Sequence, residues 1–270
     1  MSILNSVSEA LKEVKIKKPL VHNITNYVTV NDCANILLAL GASPVMADDE
    51  DEVEEMVSIA SALVINIGTL NRRTVDSMLK AGKRANELNI PVILDPVGVG
   101  ATSLRTETTK KLLKEVKFSV IRGNMSEIKI IAGINVEIKG VDSVADNEGA
   151  VEVAKKLSKM TGAVVAITGV RDVIAKGDDS CQLDNGHEML SKVTGTGCMT
   201  TSLIGGYAGA IQDNFIAAIA GIMTMGLAGE YANEALEEKE GIGTFRMKLF
   251  DGIYNMTPET LMKGGKIVNE

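Results

Sequence analysis

The sequence has no tryptophan and only four tyrosines and four phenylalanines among its 270 residues. Proteins that bind single-stranded nucleic acid stack the bases on aromatic side chains, and this chain has few to offer. Basic residues are outnumbered as well, with 28 Lys and Arg against 35 Asp and Glu and a formal net charge of −7. This balance disfavours a nucleic-acid partner, because such proteins neutralise phosphates with clustered Lys and Arg.

Metal-binding and disulfide-forming residues are also scarce. The three cysteines, Cys33, Cys181 and Cys198, are far apart in the sequence, so no pair has the spacing of a structural zinc site. Their odd number argues against a disulfide framework. The two histidines, His22 and His187, cannot form a His-rich metal site alone.

Signals for export or membrane insertion are weak. Residues 1–18 alternate charges and lack the apolar core of a signal peptide. The most apolar late stretch, residues 215–229, is short and glycine-rich for a membrane span. We therefore expect a soluble, cytoplasmic protein with no membrane partner. Its 45% hydrophobic content is enough to bury a large core.

Short apolar runs alternate with segments of helical periodicity. The runs predict buried strands at residues 20–24, 62–68, 91–97, 118–122 and 164–168. Apolar residues at helical spacing predict helices at 30–40, 72–88 and 148–160. This alternation predicts an α/β fold with a mostly parallel central sheet and helices on both of its faces.

The pattern changes after residue 171. Residues 172–179, 181–186 and 187–193 predict short antiparallel strands joined by Gly and Asp turns. After Gly195 the chain is predicted to be helical almost to its end. Because no linker composition and no repeat interrupts the sequence, we predict one domain over residues 1–270.

Polar residues follow the predicted parallel strands, at 22–26, 66–69, 95–98, 122–124 and 168–169. Gly and Asn also end strands for reasons of turn geometry alone. In an open parallel sheet, however, ligands bind beyond the carboxyl ends of the strands. The recurrence of polar residues at that position favours a binding site there.

Residues 193–199, Val-Thr-Gly-Thr-Gly-Cys-Met, lead from an extended segment through two glycines into a long helix. Such a turn presents backbone N–H groups at a helix N-terminus, where an anion is favoured. A flexible helix cap explains the pattern equally well. Cys198 would lie in the first helical turn, where the pKa of a thiol falls. The alternative for Cys198 is a small buried hydrophobe, which suits Cys33 and Cys181 better.

Two carboxylates lie at neighbouring strand ends. Asp95 follows one apolar strand. Glu127 comes after the next strand, three residues beyond Asn124. Together they are candidate ligands for Mg²⁺. Alternatively, Asp95 begins a turn and Glu127 completes a capping box with Asn124. With Arg122 beside them and an anion-binding turn nearby, the group suits phosphoryl transfer from a nucleotide.

Six segments together resemble the hydroxyethylthiazole kinases, which have a ribokinase-like fold. They are residues 21–28, 41–46, 94–101, 122–127, 166–169 and 194–199. The resemblance implies that ATP phosphorylates the hydroxyl of 4-methyl-5-(2-hydroxyethyl)thiazole, in the salvage of thiamine. It also implies a homotrimer, with the thiazole site at the subunit boundary and residues 22–28 contributing from one side.

The resemblance also implies roles for individual residues. Arg122 and Thr168 would contact ATP, which suits a guanidinium fork and a strand-end hydroxyl. Met46 and Gly195 would contact the thiazole, although Met46 is also a plausible core residue.

The remaining implied roles concern the metal and the acceptor hydroxyl. Asp95 and Glu127 would hold Mg²⁺, directly or through water. The turn at residues 194–198 would bind the transferring phosphoryl group, with Cys198 as the catalytic residue beside the hydroxyl. Ribokinase-like enzymes generally have Asp at this position, so Cys198 either positions the hydroxyl or removes its proton.

Three other functions stay open at this point. The first is a related alcohol kinase acting on a pyrimidine, pyridoxal or a sugar, which residues 22–28 and the Gly-Thr-Gly-Cys turn disfavour. The second is an ATP-dependent dehydratase of hydrated nicotinamide nucleotides, which would keep Asp in the glycine-rich turn. The third is a non-catalytic nucleotide-binding regulator, which need not retain Asp95, Glu127 and Arg122.

Overall fold

The computed structural model describes residues 2–134 and 147–269. Its strands are β1 Leu20–Ile24, β2 Ser43–Val45, β3 Ala62–Asn66, β4 Val92–Asp95, β5 Val120–Gly123, β6 Val164–Ile167, β7 Asp172–Lys176, β8 Asp179–Leu183 and β9 Ile267–Asn269. They form one sheet in the order β2-β1-β3-β4-β5-β6-β7-β8-β9.

Helices connect and follow these strands. They are α1 Ile3–Lys17, α2 Val30–Leu40, α3 Val53–Ile59, α4 Arg72–Glu87, α5 Ser103–Glu115, α6 Met125–Ile131, α7 Asn147–Thr161, α8 Thr196–Ala210, α9 Asn214–Glu234, α10 Ile242–Tyr254 and α11 Pro258–Gly264. The strands from β2 through β6 pair in parallel, and β7, β8 and β9 pair antiparallel. The predicted α/β class with a mostly parallel sheet is confirmed.

Helices cover both faces of the sheet, as predicted. Successive residues of a strand point to opposite faces, so Val64 faces one core whereas Leu63 and Ile65 face the other. The first core receives α1, α2, α8, α9, α10 and α11, and the second receives α3 through α7. Every residue of β3 and β4 is buried, which explains why these strands are continuous apolar runs rather than alternating ones.

The predicted elements agree with most of this architecture. The predicted strand at 20–24 and helix at 30–40 match β1 and α2 at both ends. The other predicted strands occur as β3 through β6 but are shorter. The strand β2 was not predicted, because it is three residues long and includes Pro44, which cannot donate to a ladder.

One predicted strand is wrong. Residues 187–193 do not extend the antiparallel part of the sheet, because Glu188–Lys192 forms a short 3₁₀-helix. The partner of β8 on that side is instead β9, from the far end of the chain. The single domain predicted over residues 1–270 includes residues 135–146, which lie outside the described residues.

Helix α9 has the length and the apolar content to cross a membrane. However, 78% of the most apolar stretch of this helix is buried inside the fold. It packs against α8 on one side and α10 on another. Its apolar character is therefore explained by its position in the core.

Candidate active site

A cavity of about 330 Å³ lies where the carboxyl ends of the parallel strands meet the N-terminus of α8. Five of the seven predicted site residues line it, namely Asp95, Arg122, Glu127, Gly195 and Cys198. A larger surface groove of about 730 Å³, between α1 and residues 257–262, contains none of the seven. The topological rule that ligands bind beyond parallel strand ends therefore identifies the smaller cavity as the candidate site.

The other two predicted residues are placed differently. Thr168 lies one residue beyond β6, and its Oγ1 accepts a hydrogen bond of 2.6 Å from Arg122 Nη2. It is thus connected to the cavity through Arg122. Met46 follows β2 and packs against the first core, outside the residues that line the cavity.

Helix α8 begins at the cavity, and its first turn depends on two glycines. Gly195 is the N-cap residue with φ +87°, and a Cβ there would lie 2.3 Å from Thr29 Cγ2. A Cβ on Gly197 would lie 2.7 Å from Arg122 Nη1. Because the N-cap residue Gly195 has no side chain to cap the helix, backbone N–H groups of the first turn are available to an anion.

Asp95, the last residue of β4, is fully buried in the wall of the cavity. Its Oδ2 accepts hydrogen bonds from Asn66 Nδ2 at 3.0 Å and from Thr201 Oγ1 at 2.8 Å. Its Oδ1 has no hydrogen-bond partner among the described residues. Burial, reinforced by the charge of Glu127 and opposed by Arg122, raises the pKa of Asp95 to about 6.

Arg122 interacts electrostatically with two buried carboxylates. Its Nη1 is 3.8 Å from Asp95 Oδ2, and its buried Nε has no hydrogen-bond partner in the part of the chain that the structure describes. The charge of Arg122 also acts on Asp172, the first residue of β7. The guanidinium therefore has donors that are not saturated by the protein, as a phosphate-binding group requires.

Asp172 was not predicted as a site residue. Its Oδ1 accepts the N–H of Gly169 at 3.0 Å, which fixes the turn after Thr168. Burial raises the pKa of Asp172 to about 7, against the opposing effects of that hydrogen bond and of Arg122. In the sequence, Asp172 is recognisable only as the first residue of a predicted strand.

Replacing Asp172 by Asn should make the stability of the free protein less dependent on pH. The pKa of Asp172 is raised from 3.8 to about 7, so its stabilising effect is complete below about pH 4 and is lost as pH rises through 7. Asn keeps an oxygen for Gly169 without a charge. At pH 8 we expect the variant to gain on the order of 1–4 kcal/mol in free energy of unfolding, and little at pH 4. Urea denaturation at both pH values measures the free energy of unfolding. An equal change between pH 4 and pH 8 in the two proteins would contradict the prediction.

Glu127 performs the capping role that the sequence offered as an alternative. Its Oε2 accepts the N–H of Asn124 at 2.8 Å, and Asn124 Oδ1 accepts the N–H of Glu127 at 2.9 Å. Its Oε1 accepts the N–H of Gly98 at 2.8 Å. Glu127 thus joins the start of α6 to the loop after β4, in which Asp95 lies.

Cys198 lies in the first turn of α8, as predicted, and is partly buried. The prediction that the helix N-terminus lowers its thiol pKa is wrong. Burial is the largest effect on the pKa of Cys198 and raises it, and the charge of Asp95 adds to the increase. The thiol is therefore protonated near neutral pH. Cys33 and Cys181 are fully buried, as expected.

Sequence reasoning missed one more residue at this end of the sheet. Arg105, on α5, donates from Nη1 to the carbonyl oxygens of Ile67 and Val97 and from Nη2 to that of Gly68. It therefore holds together the loops that follow β3 and β4. Its helical position, distant from any strand end, gives no signal of this role in the sequence.

The donor set of the cavity fits a hard divalent cation. Asp95 Oδ1 is an orphaned buried oxygen, and each Glu127 oxygen accepts one backbone N–H and keeps a further lone pair. Among residues 2–134 and 147–269, no cluster of three His, Cys, Asp or Glu side chains forms a protein-only metal cage. Two carboxylates with the remaining positions left to water and phosphate are the arrangement that Mg²⁺ prefers.

Residues 11–259 match the hydroxyethylthiazole kinase family. A hydroxyethylthiazole kinase of Alkaliphilus oremlandii is 55% identical over 268 residues, which is 99% of each chain. The solved structure of a hydroxyethylthiazole kinase from Pyrococcus horikoshii superposes with a TM-score of 0.88 at 40% identity, covering 97% of this chain and 98% of that one. A pyridoxal kinase of Staphylococcus aureus in complex with AMP-PCP has the same fold, with a TM-score of 0.59 at 17% identity, covering 78% of this chain and 87% of that one. The chain therefore belongs to the hydroxyethylthiazole kinase family.

Proposed function

We propose that the protein transfers the γ-phosphoryl group of ATP to the hydroxyl of 4-methyl-5-(2-hydroxyethyl)thiazole, in thiamine salvage. The main support is one cavity that combines a helix N-terminus, an unsaturated guanidinium and an orphaned carboxylate oxygen. Relatives named hydroxyethylthiazole kinase match this chain over nearly its whole length. We also infer that the enzyme acts in the cytoplasm.

In this proposal, Arg122 and Thr168 bind ATP. The guanidinium donates to phosphate oxygens, and the hydrogen bond from its Nη2 to Thr168 Oγ1 sets its direction. The N–H groups at the start of α8 stabilise charge on the transferring group. In this proposal the thiazole contacts Gly195 and Met46, and its hydroxyl lies beside Cys198.

Asp95 and Glu127 would hold Mg²⁺, which would neutralise the phosphate charge. Asp95 offers its unpartnered Oδ1, and Glu127 keeps the loop after β4 in place through Gly98. Because the Cys198 thiol is protonated, it supports the acceptor hydroxyl as a hydrogen-bonding partner rather than as a general base. A loose phosphoryl-transfer transition state needs little early proton removal, which agrees with this role.

The test is ADP release with three acceptors in parallel: the thiazole alcohol, hydroxymethylpyrimidine and none. We expect release with the thiazole and formation of its phosphate ester, identified by mass spectrometry. Preferred phosphorylation of the pyrimidine would identify a different alcohol kinase. Nucleotide binding with no product from any acceptor would favour a regulator.

Changing Cys198 should separate positioning from proton removal. Cys198→Asp should retain activity, because Asp accepts a hydrogen bond from the alcohol more strongly than a thiol does. Cys198→Ala should keep a measurable rate. General-base assistance typically contributes about 10²–10⁴-fold to the rate, so a smaller loss would favour a positioning role. The measurements are kcat and the binding of both substrates. A folded Cys198→Asp protein that binds both substrates and does not turn over would contradict this role.

We also propose that the protein is a homotrimer whose thiazole site lies at a subunit boundary. Val28 lines the cavity and is nevertheless 67% exposed in the single chain. Exposed apolar side chains also occur on α2 and α10, two helices that pack against each other, namely Leu38 and Met247. A neighbouring copy would cover these side chains and close the open side of the cavity.

Replacing Met247 by Glu should disturb the assembly if a neighbouring copy covers this exposed side chain of α10. A charge in the covered surface would weaken the interface and reopen the side of the cavity that the neighbour closes, so we expect a smaller oligomer and a raised KM for the thiazole. Native mass spectrometry measures the oligomeric state, and initial rates measure KM. A dissociated variant with an unchanged KM for the thiazole would assign each site to one subunit.

A further inference from the structure

Asn66 connects residues on the two sides of the cavity. It is the last residue of β3, is 1% exposed, and is paired with Asp95 in the parallel register of β3 and β4. Its Nδ2 donates to Asp95 Oδ2 at 3.0 Å. Its Oδ1 accepts from Gly68 N at 2.9 Å and from Asn26 Nδ2 at 3.0 Å.

The orientation of the Asn66 amide is determined by chemistry. A backbone N–H can only donate, so the atom facing Gly68 must be the oxygen. The nitrogen then faces the Asp95 carboxylate, which accepts. With Thr201 also donating to Oδ2, Asp95 is fixed so that Oδ1 is its unpartnered oxygen.

Asn26 is oriented by the same reasoning. Its Oδ1 accepts the N–H and the hydroxyl of Thr29, so its Nδ2 faces Asn66 and Cys198. One Nδ2 proton goes to Asn66 Oδ1, and the other goes to Cys198 Sγ at 3.2 Å. The sulfur is therefore an acceptor on this side, which leaves the thiol proton free to point elsewhere.

We propose that Asn66 is a positioning residue for phosphoryl transfer, which holds the unpartnered oxygen of Asp95 and, through Asn26, the Cys198 sulfur in one fixed arrangement. Asp95 belongs to the phosphate side of the proposed site and Cys198 to the hydroxyl side. Asn66 thus fixes the spacing between the two reacting partners. Small displacements between such groups reduce rates strongly, because the reacting atoms must be held within van der Waals contact.

This inference rests on the proposed function, so the unaltered protein is assayed first. If it does not phosphorylate the thiazole, the proposed function fails. If it does, Asn66→Ala should lower kcat by about 10²-fold, with a smaller effect on the KM of either substrate. If Asn66→Ala fails to fold, Asn66→Ser takes its place in the test. Its hydroxyl can still accept from Gly68 but cannot reach both Asp95 and Asn26, so we expect the same loss of kcat.

A matched control is Asn86→Ala. Asn86 makes two hydrogen bonds with the backbone of Lys117, well away from the cavity lining, so its loss should lower stability and leave kcat unchanged. A loss of kcat no greater than that of the control would overturn the proposal.

A double-mutant cycle tests whether Asn66 acts through Cys198. In the Cys198→Ala background, the loss caused by Asn66→Ala should shrink by at least about threefold, because part of the arrangement is already absent. Additive losses would overturn the proposal.

A second readout uses no substrate or metal. Asn26 and Asn66 both act to lower the pKa of Cys198, so removing Asn66 should move the pH midpoint of Cys198 alkylation upward. Peptide mass spectrometry assigns the modified residue, and an unchanged midpoint would also overturn the proposal.

Discussion

Replacing Arg122 by Ala should lower kcat/KM for ATP by about 10²–10³-fold, because a charged donor aimed at the transferring group is lost. Within residues 2–134 and 147–269, the buried Nε of the guanidinium has no hydrogen-bond partner, and its Nη2 donates to Thr168 Oγ1. KM for the thiazole should change much less, because the proposed role of Arg122 is to bind phosphate oxygens of ATP and not the thiazole. Initial rates over a grid of both substrates measure the two effects.

Arg122→Lys separates the charge of Arg122 from its geometry. Lys keeps a positive charge near Asp95 and Asp172 but cannot form a planar donor fork, so stability should be retained while ATP use remains impaired. Arg84→Ala is the matched control, because Arg84 forms an exposed ion pair with Glu87. ATP dependence in Arg122→Ala equal to that of the control would remove Arg122 from the nucleotide site.

Replacing Glu127 by Gln should reduce turnover by on the order of 10²–10³-fold if Glu127 helps hold the metal. Both Glu127 oxygens accept backbone N–H groups, so the amide nitrogen of Gln would face one donor with another. The loop after β4 would then lose one anchor. Turnover across a Mg²⁺ titration measures the metal effect, and we expect a weaker apparent affinity for Mg²⁺.

Thr74→Ala provides the control for capping alone. Thr74 is the third residue of α4 and completes a capping box with Asn71, as Glu127 does with Asn124 in α6. Loss of a cap costs about 0.5–2 kcal/mol of stability. A Glu127→Gln protein with that stability loss and an unchanged Mg²⁺ titration would show that Glu127 is a cap only.

The parallel part of the fold could be predicted because its information is local. Buried parallel strands are continuous apolar runs, and α2 ends at Gly41 with φ +102°, which the sequence marks plainly. The outer strands could not be predicted in the same way. Strand β9 pairs with β8 across more than eighty residues, and no pattern at residues 187–193 reveals that this place in the sheet is already taken.

The residues of the candidate site could be predicted from the sequence, but the hydrogen bonds that connect them could not. Asp95, Arg122 and Cys198 were found because each follows a strand or begins a helix at the same edge of the sheet. The hydrogen bonds of Asn66 depend on its register opposite Asp95, which a single sequence does not contain. The raised pKa of Cys198 was missed for a related reason, because burial outweighs the helix N-terminus and is set by tertiary packing.

The connection of α8 to the sheet has a consequence for how the chain acquires its site. Cys198 meets Asn26 across 172 positions of sequence, and Thr201 meets Asp95 across 106. Closing loops of this length before any contact forms is entropically costly and makes folding slow. During synthesis, the first half of the chain can form β1, β3 and β4, yet it leaves Asp95 without Thr201 until α8 has emerged. The cavity is therefore completed late in folding, when α8 brings Cys198 and Thr201 to residues that the first half of the chain supplies.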